Sequence, residues 1–270
     1  MGALLMPATL LAYIVSTGLY LSYVATFREG LAQWGSKALH FAFLVHVVAL
    51  ADWMGQLGPH NLTSAYGVLP FGAWVLVGGY LVVDWRFKVP VLGAFVTPLI
   101  SLALLLVLIA GPGGAEGGPG MVGREVRGAL LPVHISLALI GVAALALACG
   151  VAVLYLLLER QLKSKRFGRV FHRFPSLETL DRINYRCVTI GFPIYTVALI
   201  LGGLWAYKLL EAEFRIEWAL SLLAWVFFGV LLQARMMVGW RGRKAAILTI
   251  AGFSVVMGVL AQYLARGGGG

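Results

Sequence analysis

The chain has 270 residues, of which 60% are hydrophobic and only 12% charged, with a mean hydropathy of +0.89. A soluble domain is about half apolar and carries about twice that share of charge, so this composition excludes one soluble core and predicts a polytopic membrane protein. The net charge of +10 is not matched by any aromatic-basic surface motif, which argues against nucleic-acid binding and for loops held on one side of a bilayer.

The apolar segments are about 20 residues each, the length of spanning helices rather than barrel strands. The first, 4–27, has no basic stretch before it and no small-residue cleavage site, and reads as a retained helix rather than a signal peptide. A loop over 28–37 (REGLAQWGSK) leads to a helix over 38–57 containing His40, His46 and Asp52. The segment 58–67 (GPHNLTSAYG) is a loop with turn-forming Pro and Asn and carries His60. A third helix is expected over 68–83 and a turn over 84–88 (DWRFK). A fourth helix follows over 89–110, with Pro90 in its first turn.

The glycine-rich stretch 111–128 is a loop. It has no Gly-Lys-Ser/Thr and is not a phosphate cradle. Helix five spans 131–158 with His134 near its start, and a strongly basic loop follows over 159–186. Within that loop, Ser176 is an N-cap for a short interfacial helix. Helix six is expected over 187–209, with Pro193 as a local kink, helix seven over 218–235 and helix eight over 245–264. The whole chain, 1–270, is thus read as one all-α membrane domain of eight transmembrane helices.

Of the 21 Lys and Arg residues, only Arg124, Arg127, Lys208, Arg215 and Arg266 fall in the even-numbered loops and the tail. By the positive-inside rule the others face the cytoplasm and both termini lie outside. Cys149 and Cys187 are far apart in apolar segments and form no CxxC, which argues against a structural disulfide or covalent haem attachment.

Histidine is costly in a bilayer unless it faces protein or a cavity. His172 lies in the basic loop and His40 near the inner end of helix two. At about 1.5 Å rise per residue, His46 is about 13 Å deep if Lys37 marks the surface. His134 lies within about a turn of the outer surface, where the loop residue His60 can join it. His46 and His134 differ in depth by about 10–15 Å, which favours His134 with His60 and makes His46 a separate, deeper site or a structural residue. Asp52, about 9 Å beyond His46, either accepts a ring N–H from His134 as its orienting partner or reaches the outer interface alone. Paired imidazoles suit a bis-histidine haem. They also suit zinc, which wants three or four ligands that no nearby Cys or carboxylate cluster supplies. No nucleophile–base pair or paired-carboxylate pattern is present, so no catalytic step is expected.

Several ordered stretches carry a family resemblance. The run from Leu131 to Glu159 resembles the histidine-bearing helix of the cytochrome c assembly (CcsA/HemX) family. Downstream, Leu180, Asp181, Tyr185 and Arg186 resemble that family's Leu-Asp-x-x-x-Tyr-Arg element, followed by Gly191, Phe192, Gly202 and Trp205. The stretch 239–246 (GWRGRKAA) is similar to the loop before the family's last helix, and 58–67 more weakly to an earlier loop. The resemblance covers roughly 57–252.

The chain departs from the family's haem-delivering members. Their tryptophan-rich external segment is replaced by 207–219 (YKLLEAEFRIEWA), and Gln233 stands where they carry a histidine. The pattern is closer to the HemX-like branch. The resemblance implies a protein of a bacterial inner membrane that binds haem b through His134, with His60, His46 and Asp52 as further candidates. It would hold or transfer haem alongside cytochrome c assembly proteins. The alternative is a regulatory scaffold whose basic loop binds a cytoplasmic haem-biosynthesis enzyme. The same loop also has the charge to hold anionic membrane lipid.

Overall fold

A computed structural model describes residues 4–57, 65–115, 130–164, 175–209 and 216–267. Among them it has eight helices and no strand: α1 (Leu5–Thr26), α2 (Glu29–Leu57), α3 (Ala65–Phe87), α4 (Pro90–Ala115), α5 (Leu130–Lys163), α6 (Leu177–Leu209), α7 (Ile216–Met237) and α8 (Arg243–Gly267). Each is long and apolar enough to cross a membrane. This is an all-α multi-pass membrane protein. Only helices satisfy every backbone N–H and C=O within a single span.

The buried face of α1 shows how the helices associate. Met6, Thr9, Leu10, Tyr13, Ser16, Tyr20 and Tyr23 recur every three or four residues and are buried. Leu11, Ile14, Val15 and Leu21 point outward and are equally apolar. With lipid as solvent, apolar character no longer separates inside from outside, and close packing and polar contacts decide the interface. The hydroxyls of Thr9, Thr17, Thr97, Thr196 and Thr249 each bond the carbonyl four residues back, which spares them an unmet partner in hydrocarbon.

Several boundaries differ from the sequence reading; α3 runs through most of the expected turn at 84–88, and α5 runs on to Lys163 in the expected basic loop. The stretch expected as a loop over 28–37 is mostly the start of α2. Phe27 takes a left-handed φ of 53° and closes α1 with its N–H on the Tyr23 carbonyl. The chain therefore reverses in two residues, and Leu31 and Ala32 then pack on the core as helical residues. The expected interfacial helix and helix six are one continuous helix, α6, with Pro193 inside it. Its start is capped as expected, Ser176 Oγ accepting the Thr179 N–H at 3.1 Å. The expected loop at 111–115 continues α4.

Helix α5 is the hub. It packs on α6, α8, α3 and α4, while α1 pairs with α2 and α4, and α7 with α8 and α6. In its membrane window 61% of residues are buried, against 17–39% in the other spans.

The α5–α6 contact is closest at glycines. A Cβ on Gly141 would come within 2.9 Å of the Tyr195 backbone nitrogen, and one on Gly191 within 2.9 Å of Ala144 Cβ. Polar bonds pin this antiparallel pair at both ends. Asn184 Nδ2 donates to the Ala148 carbonyl at 3.0 Å, and His134 Nδ1 meets the Ala198 carbonyl at 2.8 Å. The two pinned α5 residues are about 21 Å apart along the helix.

At the basic end, Asp181 of α6 joins α7 and α8. Arg235 Nη2 donates to Asp181 Oδ2 at 2.7 Å, Arg235 Nη1 donates to Asn184 Oδ1 at 3.1 Å, and the Gly242 N–H donates to Asp181 Oδ1 at 2.9 Å. Arg235 also lies over the Tyr185 ring at 4.9 Å. Its side chain is only 6% exposed. Removing one partner of a buried, hydrogen-bonded pair leaves the other charge uncompensated, at a cost of about 3–5 kcal/mol. Arg235→Met is therefore expected to lower the melting temperature of the detergent-solubilised protein sharply, and adding Asp181→Leu should recover part of the loss. An Arg235→Met protein as stable as wild type would show that the pair does not hold these helices.

Candidate functional site

The geometry around His134 builds a defined imidazole. His134 lies one turn into α5, at the end away from the basic cluster, and is half-buried. Its Nδ1 faces the Ala198 carbonyl. A carbonyl oxygen only accepts, so Nδ1 must carry a proton, and in the neutral ring the lone pair is on Nε2. Gly202, one turn beyond Ala198 on α6, leaves the room for the ring. A Cβ there would come within 2.7 Å of His134 Cε1, 3.1 Å of Nδ1 and 3.4 Å of Nε2. The imidazole thus lies against a bare stretch of α6 backbone. This is how a metal-ligating histidine is oriented, one nitrogen tied to a backbone oxygen and the other free to bond a metal.

The orienting acceptor differs from the one the sequence suggested. Asp52 was a candidate for the ring N–H of His134, but that N–H goes to Ala198. A helix whose carbonyl is opened toward a neighbour by a nearby glycine supplies an acceptor that no side-chain pattern reveals. Asp52 is half-buried on α2. His60 lies outside the described residues.

His46 occupies a different setting. It is fully buried on α2, its Nδ1 is 3.0 Å from Tyr13 Oη of α1, and the two rings meet edge to face. Its Nε2 is buried and has no hydrogen-bond partner among the described residues. The described contacts of His46 run to α1 and those of His134 to α6, and none joins the two. Tyr13 was not singled out in the sequence. Its signal was a tyrosine midway along an apolar span, where a buried hydroxyl needs a partner.

Among the described motif residues, Leu180, Asp181, Tyr185, Arg186 and Phe192 pack helices together. Leu180 is fully buried, Asp181 and Tyr185 belong to the Arg235 cluster, and Arg186 stands over the Phe87 ring at 5.4 Å. Phe192 stacks on Trp225 at 5.8 Å. Gln233 is exposed and donates to Met237 Sδ four residues on. Among the described residues, no three His, Cys, Asp or Glu side chains gather as a metal-binding group.

The comparisons with known proteins decide the family. The family model described as "Cytochrome C assembly protein" matches residues 62–265. The chain belongs to the cytochrome c assembly family. It is 26% identical over 267 residues to the cytochrome c biogenesis protein CcsA of Guillardia theta, covering 92% of this chain and 87% of that one. It is 28% identical over 260 residues to the protein HemX of Bacillus subtilis (strain 168), covering 94% and 92%. It is 27% identical over 244 residues to the CcsA of Prochlorococcus marinus (strain NATL1A), covering 80% and 76%.

The His134 tautomer is open to direct measurement in this cytochrome c assembly protein. With 15N-labelled histidine, the His134 ring is expected to show a protonated Nδ1 and a bare Nε2. Gly202→Ala, whose new methyl meets the ring, should shift or broaden that signal and leave the His46 ring unchanged. A neutral His134 ring with its proton on Nε2 and a bare Nδ1 in the wild type would overturn the assignment.

Proposed function

We propose that this protein binds haem b and holds or transfers it in cytochrome c biogenesis, with His134 as an axial ligand. The observation that carries this reading is the tied imidazole. Its Nδ1–H is spent on Ala198, which leaves Nε2 as a neutral donor of the kind haem iron takes. Gly202 keeps the ring's place clear, so the donor chemistry fits the group. A bound haem would supply iron with two axial positions. The protein's part is to bind and orient, not to make or break bonds.

His60, in the segment before α3, is proposed as the second axial ligand. Asp52 is proposed as an acidic group toward the same end of the bundle, and His46 as a separate, deeper site. With HemX among its relatives, the chain is read on the HemX-like side of the family. A bacterial inner-membrane location is proposed, and the lysine and arginine distribution supports an orientation with both termini outside.

Haem titration followed by visible spectroscopy, oxidised and reduced, tests the assignment. Wild type is expected to give a low-spin bis-imidazole spectrum that His134→Ala and His60→Ala lose and His46→Ala keeps. A spectrum indifferent to His134→Ala would remove His134 as the ligand, and loss only with His46→Ala would move the site to the α1–α2 pair.

A second reading is a membrane scaffold that holds a cytoplasmic haem-biosynthesis enzyme. It draws on cations gathered at one end from three helices. Lys163 of α5, Arg182 of α6 and Arg243 of α8 have side chains 57–64% exposed although each has a glutamate nearby. Under this reading, charge reversal at Lys163, Lys165 and Arg166 abolishes capture of the enzyme and leaves any haem spectrum intact. Unchanged capture would discard it.

A further inference from the structure

A cleft of about 640 Å3 opens at the basic end of the other half of the bundle, between the α1–α2 and α3–α4 turns. It lies apart from His134 and from the Asp181–Arg235 cluster. The first hairpin contributes Glu29 and Lys37, and the second contributes Asp84 and Lys88, with Gln33 and Ser36 between them. Each hairpin therefore brings one charge of each sign.

Lys37, Asp84 and Lys88 do not close into ion pairs. Among the described residues, no ion pair within 4 Å involves Lys37, Asp84 or Lys88, whereas Asp181 and Arg235 close to 2.7 Å. Lys37 instead lies 4.7 Å over the Trp34 ring. Asp84 accepts the Val89 N–H, and the Lys88 ammonium acts on it from a distance. Its Oδ1 is buried and has no hydrogen-bond partner. Lys88 is held in the cleft wall by a left-handed φ of 53°, its N–H on the Asp84 carbonyl.

Tryptophans next in sequence to the lining residues Gln33 and Asp84 set the depth. Trp34 and Trp85 are 63% and 74% exposed, and exposed tryptophans beside helix ends mark the headgroup layer of a bilayer. A site at that depth that offers two ammonium groups and a carboxylate outside any ion pair complements a ligand carrying both a phosphate and an ammonium.

We propose that this cleft binds the phosphoethanolamine headgroup of a membrane phospholipid, its phosphate between Lys37 and Lys88 and its ammonium on the Asp84 carboxylate. The charge-assisted bond to Asp84 sets the choice of lipid. Lipids of equal charge at the phosphate but without an ammonium lose that bond and keep the lysines. The inference does not depend on haem binding.

Native mass spectrometry of the full-length protein, with phosphatidylethanolamine and phosphatidylglycerol offered in equal amounts, tests it. One charge-assisted hydrogen bond corresponds to about a tenfold preference for phosphatidylethanolamine in wild type. Asp84→Asn is expected to retain phospholipid without preference, and Lys37→Gln with Lys88→Asn to lose both lipids. Lys88→Asn alone, at an exposed turn whose left-handed φ asparagine tolerates, should weaken retention even where the Asp84 variant does not fold. The proposal falls if wild type retains no phospholipid, retains the two equally, or keeps its preference after Asp84→Asn. It also falls if soluble phosphoethanolamine binds and the lipid does not, since the ligand would then be a soluble zwitterion.

Discussion

The close approach of α5 and α6 is the constraint on which the rest depends. Two helices in lipid gain nothing from hiding apolar surface from each other, so they associate where backbones come near enough for dispersion and polar bonds to act. Here that approach runs through Gly141 against Tyr195 and Gly191 against Ala144. It is fastened by Asn184 at one end and His134 at the other. The same contact that assembles the hub sets the chemistry of His134. Without a bare backbone at Gly202 the ring would not lie against α6, and without the Ala198 carbonyl its tautomer would be free.

The two ends of this helix pair have different work. At the basic end, a buried arginine and aspartate tie α6, α7 and the α8 turn through Arg235, Asp181 and Gly242. Desolvating such charges is expensive, and the geometry offsets it only because Asn184, the Gly242 N–H and the Tyr185 ring complete the set. At the other end the polar group is a single neutral imidazole with one nitrogen left over. Stability is concentrated where charge is neutralised, and the open donor sits where the helix pair needs only one bond.

Much of the fold could be read from residue order. Eight apolar segments, Pro90 at the start of α4 and the Ser176 cap all follow from local rules. The errors were at 28–37, 84–87, 111–115, 159–163 and the start of α6, where polar or glycine-containing stretches are helical; at 28–37 a tight left-handed turn at Phe27 leaves the following residues free to start α2. The site was legible in one residue. His134 stood out as a histidine in an apolar span, but its acceptor is a backbone carbonyl 64 residues away, and carbonyls carry no sequence signature. Likewise Tyr13 and Arg235 gain meaning only from partners on other helices.

By itself, then, the amino-acid sequence determined that this is a helical membrane protein, where most spans lie and which histidines stand within apolar segments. Those properties rest on hydropathy and backbone propensity, which act over a few residues. Tertiary structure alone decided which nitrogen of His134 carries the proton, that His46 belongs to α1 rather than to His134, and that charges from two separate hairpins face one cleft. These are matters of distance between segments far apart in the chain. In a membrane, where inward and outward faces are equally apolar, the sequence pattern does not say which face meets which.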